Sequence, residues 1–470
     1  MTATAPPEIA AAGQDFEVAI VGAGITGIAA AREFGRTGLA YIVLERCESV
    51  GGVWLTHRWH GARCDSDIIK YSYSFRPLLA ERCLLDAASI QSYLRDVTEE
   101  FGIAPHIRFG ATVTRAEFTN DRWRIHTSRG IFTARFLLNG NGYFADQPHV
   151  PKLPGLADFR GEVVHSVYLD GRRTFHDKRV VLVGSGATAI CCAPALARVS
   201  KSLVLLQRSP SYIFEAGNGI GWTTRACQSL FRHGIRWPVH ALRHALQLRD
   251  DVIFVAFRRF PWLGKSIFRR HWLATVGRDN FEAHFRPDYG PWQQRIPVAV
   301  GLKAKLRSGE IVMRTGEIAR FESGGVVLKD DSTVACDVCV LATGHNLEFL
   351  KFELVVEGRP VSVDRLGFYK GVMMGSIPNY FHPFGVLHSA WTQRIETIVR
   401  FIAHILAHMR REGYRVVMLD QREVEYVPSL ASGYIRRSLD TLPRLYGVYH
   451  LQSLDRLLSY RFDPSQFRFR

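Results

Sequence analysis

Two stretches of this chain carry the same succession of apolar and small residues. In the first, the β-rich run Phe16-Glu-Val-Ala-Ile-Val21 leads into Gly22-Ala-Gly-Ile-Thr-Gly27 and then into a helix-like segment from Ile28 to Phe34. A second apolar run, Tyr41-Ile-Val-Leu44, follows and ends at Glu45. The pattern predicts strand, glycine turn, helix and strand, in that order. It recurs at Val180-Val-Leu-Val183, Gly184-Ser-Gly-Ala-Thr-Ala189, a helix through Leu196, and the run Ser202-Leu-Val-Leu-Leu206, which ends at Gln207 and Arg208. Units of this kind lay parallel strands beneath helices, so the expected class is α/β with two Rossmann-like domains.

The chemistry follows from the small residues. Glycines at 22, 24 and 27 let the backbone approach a pyrophosphate, and the helix start offers N–H groups and the positive end of its dipole. Glu45, about twenty residues further on, suits the hydroxyls of an adenosine ribose. In the second unit Ala189 replaces the third glycine and still permits close helix packing. There Arg208 is read as standing where Glu45 stands in the first, and a guanidinium suits a 2′-phosphate that a carboxylate would repel. Two such folds imply two dinucleotides, FAD at the N-terminal unit and NADP at the second.

Pro148, Pro151 and Pro154 mark a boundary between the units. From about Ala216 to Pro287 the composition shifts to Trp, Phe, Arg and His at helical spacing, including Trp222, Trp237, Trp262 and Trp272. This reads as a helical insertion whose aromatics are expected to be buried over a substrate pocket, with a peripheral membrane contact as the alternative. The expected division is an FAD-binding domain over 1–147 and 345–470, an NADP-binding domain over 148–215 and 288–344, and the insertion over 216–287. An amphipathic helix is expected from Ile398 to Met409.

With 470 residues, 47% of them hydrophobic, the chain can bury more than one core. The start of the chain lacks an export-signal pattern and no apolar run reaches membrane-spanning length, so a cytoplasmic protein is expected. Eight scattered cysteines form no disulfide framework. Cys336 and Cys339 have redox-motif spacing, but they lie in an apolar strand-like run and are read as core side chains. A net charge of +16 meets no helix-turn-helix, zinc or RNA-binding signature, so nucleic acid is not an expected partner. Oligomeric state is not readable.

Several longer motifs carry a resemblance. Gly51-Gly-Val-Trp54, Gly61-Ala-Arg-Cys-Asp-Ser66, Leu206-Gln-Arg-Ser-Pro210, Tyr289-Gly-Pro-Trp-Gln-Gln-Arg295, Ala342-Thr-Gly-His-Asn346, Tyr369-Lys-Gly371 and the run from Tyr434 to Pro443 join the two glycine turns. With them, nearly the whole chain resembles the class B flavoprotein monooxygenases, and among these the Baeyer–Villiger monooxygenases of the ethionamide monooxygenase type. The resemblance implies FAD and NADP as cofactors, and O2 and a small apolar ketone or aldehyde as substrates oxidised through a C4a-peroxyflavin. Oxygen transfer to nitrogen or sulfur is the alternative outcome, and a flavin-binding protein without turnover is the non-enzymatic one.

It further implies that Thr26, Glu45, Gly51, Gly52, Val53, Trp54, Asp65 and Val113 contact FAD. Arg63, Cys64, Asp65, Gly184, Ser185, Gly186, Ala187, Thr188, Ala189, Ile190, Arg208 and Ser209 would line the NADP path. Arg295 is similar to the family's active-site arginine, with Asp65 orienting it. Phe159, Gly161 and His165 match the family fingerprint, which implies His165 as a further cofactor-binding residue, whereas Leu169 stands at its Trp position and favours the nitrogen or sulfur alternative. Gln294 stands where many members carry Lys, which puts more of the NADP preference on Arg208.

Overall fold

Branched and aromatic side chains at 16 to 21 extend as strand β1 (Asp15–Val21), whose last four residues are buried. The chain turns at Gly22 into helix α1 (Ile25–Arg36) and returns as β2 (Tyr41–Leu44), parallel to β1 with Val21 opposite Leu44. On its other side β1 pairs in parallel with β3 (Gly130–Asn139). Antiparallel strands Val113–Thr119 and Arg122–Thr127 extend this sheet, which counts nine strands among the described residues. The computed structural model describes residues 15–364, 366–385, 390–419, 432–447, 451 and 460–470; the N-terminal stretch read for an export signal lies outside them.

The second unit repeats the first. Strand β4 (Phe175–Val183), helix α2 (Ala187–Leu196) and strand β5 (Ser200–Gln207) belong to a sheet of five parallel strands, completed by Ile311–Thr315, Val338–Leu341 and Glu162–His165. The backbone contacts match one for one. Gly22 N donates to Leu44 O at 2.8 Å, and Gly184 N donates to Leu206 O at 2.8 Å. Ala189 is fully buried, so the residue in place of the third glycine seats α2 against its sheet.

The insertion is helical: α3 (Trp222–Arg232), α4 (Trp237–Arg259), α5 (Pro261–Val276) and α6 (Arg278–His284). Its aromatics depart from expectation. Trp272 is buried, stacked on Phe285 with its indole N–H donating to Ile213 O, but Trp222, Trp237 and Trp262 face outward. In α4, Arg243, Gln247 and Asp251 turn toward the protein with Val239, Phe254 and Phe257, while Trp237, Leu248, Val252 and Val255 stay outside.

Helix α7 (Trp391–Glu412) contains the amphipathic segment expected at 398–409 and packs its apolar face into the core beneath α1. Cys336 and Cys339 sit in an apolar cluster with Val181 and Leu341. Burial pushes the Cys336 thiol up to about 11 and raises that of Cys339 as well, so neither is a ready nucleophile at neutral pH. A short helix α8 (Gly433–Arg437) closes the described part of the C-terminal region around the site.

Candidate functional site

The two glycine turns open onto one cavity of about 1150 Å³. At the first turn, a Cβ on Gly27 would lie 1.8 Å from the carbonyl oxygen of Gly22, so only glycine lets α1 come this close to β1. At Gly24 the nearest atom outside its chain neighbours would be 3.5 Å away, and at Gly186 nothing lies within 4 Å. Protein packing therefore does not explain why these two positions lack side chains. The space over each is bounded by a helix N-terminus that has no side-chain cap, which fits a pyrophosphate accepting from the free N–H groups.

Glu45 lies at the edge of this space with both oxygens fixed. One accepts from Ala23 N at 2.5 Å and the other from Cys47 N at 2.8 Å. Its carboxylate is thus held rigidly where ribose hydroxyls could donate to it. The Asn141 side chain supplies a second sign of a missing partner: it lines the cavity, and neither its amide nitrogen nor its oxygen has a hydrogen bond. The residues present fit a flavin dinucleotide at the first turn.

Most residues singled out from sequence meet here. Gly22, Gly24, Thr26, Glu45, Gly51, Gly52, Val53, Trp54, Arg63, Cys64, Asp65 and Val113 line the cavity from the first lobe. Gly184, Ser185, Gly186, Ala187, Thr188, Arg208, Ser209 and Arg295 line it from the other side. Gly27, Ala189, Ile190 and His165 do not form part of the lining: the first three pack helix on sheet, and His165 caps a short turn by accepting from Val167 N. Leu169 is buried in the core of the second lobe.

The register corrects one reading. Val183 pairs with Leu206 as Val21 pairs with Leu44, so Gln207, and not Arg208, occupies the place of Glu45. Gln207 is buried, and its amide donates to His284 O and Thr315 Oγ1. Arg208, one residue beyond, is exposed to the cavity. Arg437 of α8 joins it there; burial, and then the like charge of Arg208, lower its pKa. Two neighbouring guanidiniums make a stronger anion site than one.

Arg295 reaches the cavity between the lobes and donates from Nη2 to Asp65 Oδ2 at 2.5 Å. Its backbone N–H donates to Ser432 Oγ at 3.3 Å. The Asp65 carboxylate raises the guanidinium above the ordinary arginine value, so the group is a permanent cation and no proton donor. Tyr143 and Tyr434 stand near it and also line the cavity. Around them Trp54 donates to the Tyr71 hydroxyl at 2.8 Å, and Tyr143 stacks on Trp391 with ring centroids 5.0 Å apart. Tyr143 was not singled out from sequence, being an isolated side chain outside any motif; Tyr434 and Arg437 lie in the run from Tyr434 to Pro443 that carried the resemblance, but no site role was read from them.

Comparisons with known proteins agree with this architecture. A family model described as pyridine nucleotide-disulphide oxidoreductase matches residues 19–217. The chain is 30% identical over 453 residues to the FAD-containing monooxygenase EthA of Mycobacterium tuberculosis, with 92% of this chain and 91% of that protein covered. Among solved structures, an oxidised steroid monooxygenase bound to NADP superposes with a TM-score of 0.78 at 23% identity, covering 97% of this chain and 99% of that one. The cyclohexanone monooxygenase of Rhodococcus sp. Phi1 bound to NADP+ gives a TM-score of 0.76 at 20% identity, covering 97% and 99%. The fold is that of proteins with two dinucleotide-binding domains.

Proposed function

The chain belongs to the FAD-containing monooxygenases, and from that membership we propose that it oxidises a small apolar ketone or aldehyde with O2 and NADPH, inserting one oxygen atom beside the carbonyl. The observation that carries this reading is the Arg295–Asp65 ion pair, placed in the one cavity that both glycine turns share. FAD would be held by the first turn, Glu45 and Asn141. NADP would be held by the second turn, Arg208, Ser209 and Arg437. When bound, the two cofactors supply hydride transfer and activation of O2.

The protein's part is positioning and charge. Arg295 offers a fixed cation toward negative charge that develops on a carbonyl oxygen under attack, and Asp65 holds its geometry so that no reorganisation is needed. A permanent cation also disfavours protonation of anions beside it, which favours nucleophilic attack on a carbonyl over transfer to sulfur or nitrogen. Trp54, Tyr143, Phe384 and Trp391 give the cavity apolar walls that exclude water and suit an apolar substrate. Product analysis after turnover with NADPH and a cyclic ketone, an amine or a sulfide tests the proposal. A lactone from the ketone is expected; products from the amine or sulfide alone, or no O2 uptake with any of them, would overturn it.

A further inference from the structure

The insertion shows its apolar side chains to the outside. Of the eighteen large apolar side chains exposed among the described residues, eleven fall between Trp222 and Ile267. Trp222, Trp237 and Trp262 are 80%, 71% and 68% exposed. Along α4 the exposed residues Trp237, Ala241, Ala245, Leu248, Val252 and Val255 recur every three or four positions and therefore share one face. The opposite face buries Arg243, Gln247 and Asp251 together with Val239, Phe254 and Phe257. A helix that already buries one face in the protein and still shows an apolar stripe to the outside departs from the pattern of one that faces only water.

Specific bonds hold that orientation. Arg243 pairs with Glu396 of α7 at 2.8 Å with both side chains almost wholly buried, and Lys70 pairs with Asp250. The outward face of α4 is therefore built into the fold and tied to the first lobe.

Charge identifies what covers it. Between residues 222 and 270 there are ten Lys and Arg against two acids, Asp250 and Asp251. Every one of those cations except Arg243 is exposed, whereas Asp251 is buried and Asp250 is held by Lys70 and Arg249. A second copy of so basic a face would repel the first. An anionic bilayer would attract it, receive the indoles at headgroup depth and let the guanidiniums extend to phosphates. None of the helices among the described residues is long and apolar enough to cross a membrane, so such a contact lies in the plane of the surface.

We propose that the outward face of α3, α4 and α5 docks the protein on an anionic lipid bilayer. The inference is independent of the reaction chemistry, since no residue between 216 and 287 lines the cavity.

Sedimentation of the full chain with vesicles tests it, comparing phosphatidylcholine containing phosphatidylglycerol with phosphatidylcholine alone. The expected result is binding to the anionic vesicles that falls at least tenfold on neutral vesicles, in high salt, and in the triple variant Trp222→Ala, Trp237→Ala, Trp262→Ala. Circular dichroism of the variant in solution should match that of the parent, and a charge variant, Arg258→Glu with Arg269→Glu, should lose binding in the same way. Absence of binding to anionic vesicles would overturn the proposal. So would a stable dimer of the parent that the tryptophan variant converts to monomer, because the face would then belong to a second copy.

Discussion

Arg295 and Asp65 come from segments 230 residues apart, yet they form an ion pair at 2.5 Å in the cavity wall. If the guanidinium's task is to stabilise developing charge, Arg295→Ala should leave the protein yellow and able to oxidise NADPH. Oxygenated product should fall by roughly 10²- to 10³-fold, the usual loss when one such donor is removed. Comparing product formed with NADPH consumed checks this, and an unchanged ratio would count against the role. Arg208, exposed in the cavity, is proposed to meet the 2′-phosphate that distinguishes NADPH from NADH. Losing one charge-assisted contact of about 1.5–3 kcal/mol should raise the KM for NADPH roughly ten- to hundredfold in Arg208→Ala and leave that for NADH nearly unchanged. Arg437→Ala should shift it in the same direction, and equal effects on both nucleotides would remove these residues from the phosphate site.

The glycine turns separate two uses of a missing side chain. Gly27→Ala would drive a Cβ into the backbone of Gly22 and should disrupt the first lobe, whereas Gly24→Ala meets only ordinary contact with Gly52 and should fold normally while losing flavin. Visible absorbance together with circular dichroism distinguishes the two, and a flavin-loaded Gly24→Ala would contradict the pyrophosphate assignment. These turns were legible in the sequence because strand, glycines and helix are contiguous and each has its own residue pattern. The place of Arg208 was not, because the strand's end in sequence does not reveal its register, and Gln207 turns inward through bonds to His284 and Thr315 that lie far along the chain. The insertion was legible as helix but not in its facing. Which stripe of α4 is buried depends on Glu396, a partner 153 residues away. Tyr143 was likewise invisible, and Tyr434 and Arg437 were visible only as part of a motif, because all three reach the cavity by tertiary folding.

At the scale of the molecule, the ion pair between α4 and α7 fixes the insertion to the first lobe. Glu396→Ala would strand the Arg243 charge in the interior, and a loss of about 3–5 kcal/mol is expected in a denaturant titration. Acid should also weaken the fold. Burial lowers His165 to about 4, and burial lowers His345 and His382 to about 3, against an ordinary value of 6.5. The unfolded chain therefore binds protons that the folded chain refuses, so stability should drop as pH falls below about 6.5 and keep dropping toward pH 4. Melting temperatures measured across that window check the sign, and a flat profile would contradict it. The central claim is that one cavity joins a flavin dinucleotide, NADPH and O2 in a single oxygen insertion. Turnover of a cyclic ketone with NADPH under isotopically heavy dioxygen, followed by mass spectrometry, tests it most directly: one heavy oxygen atom in the lactone is predicted, and product without the label, or none at all, would contradict it.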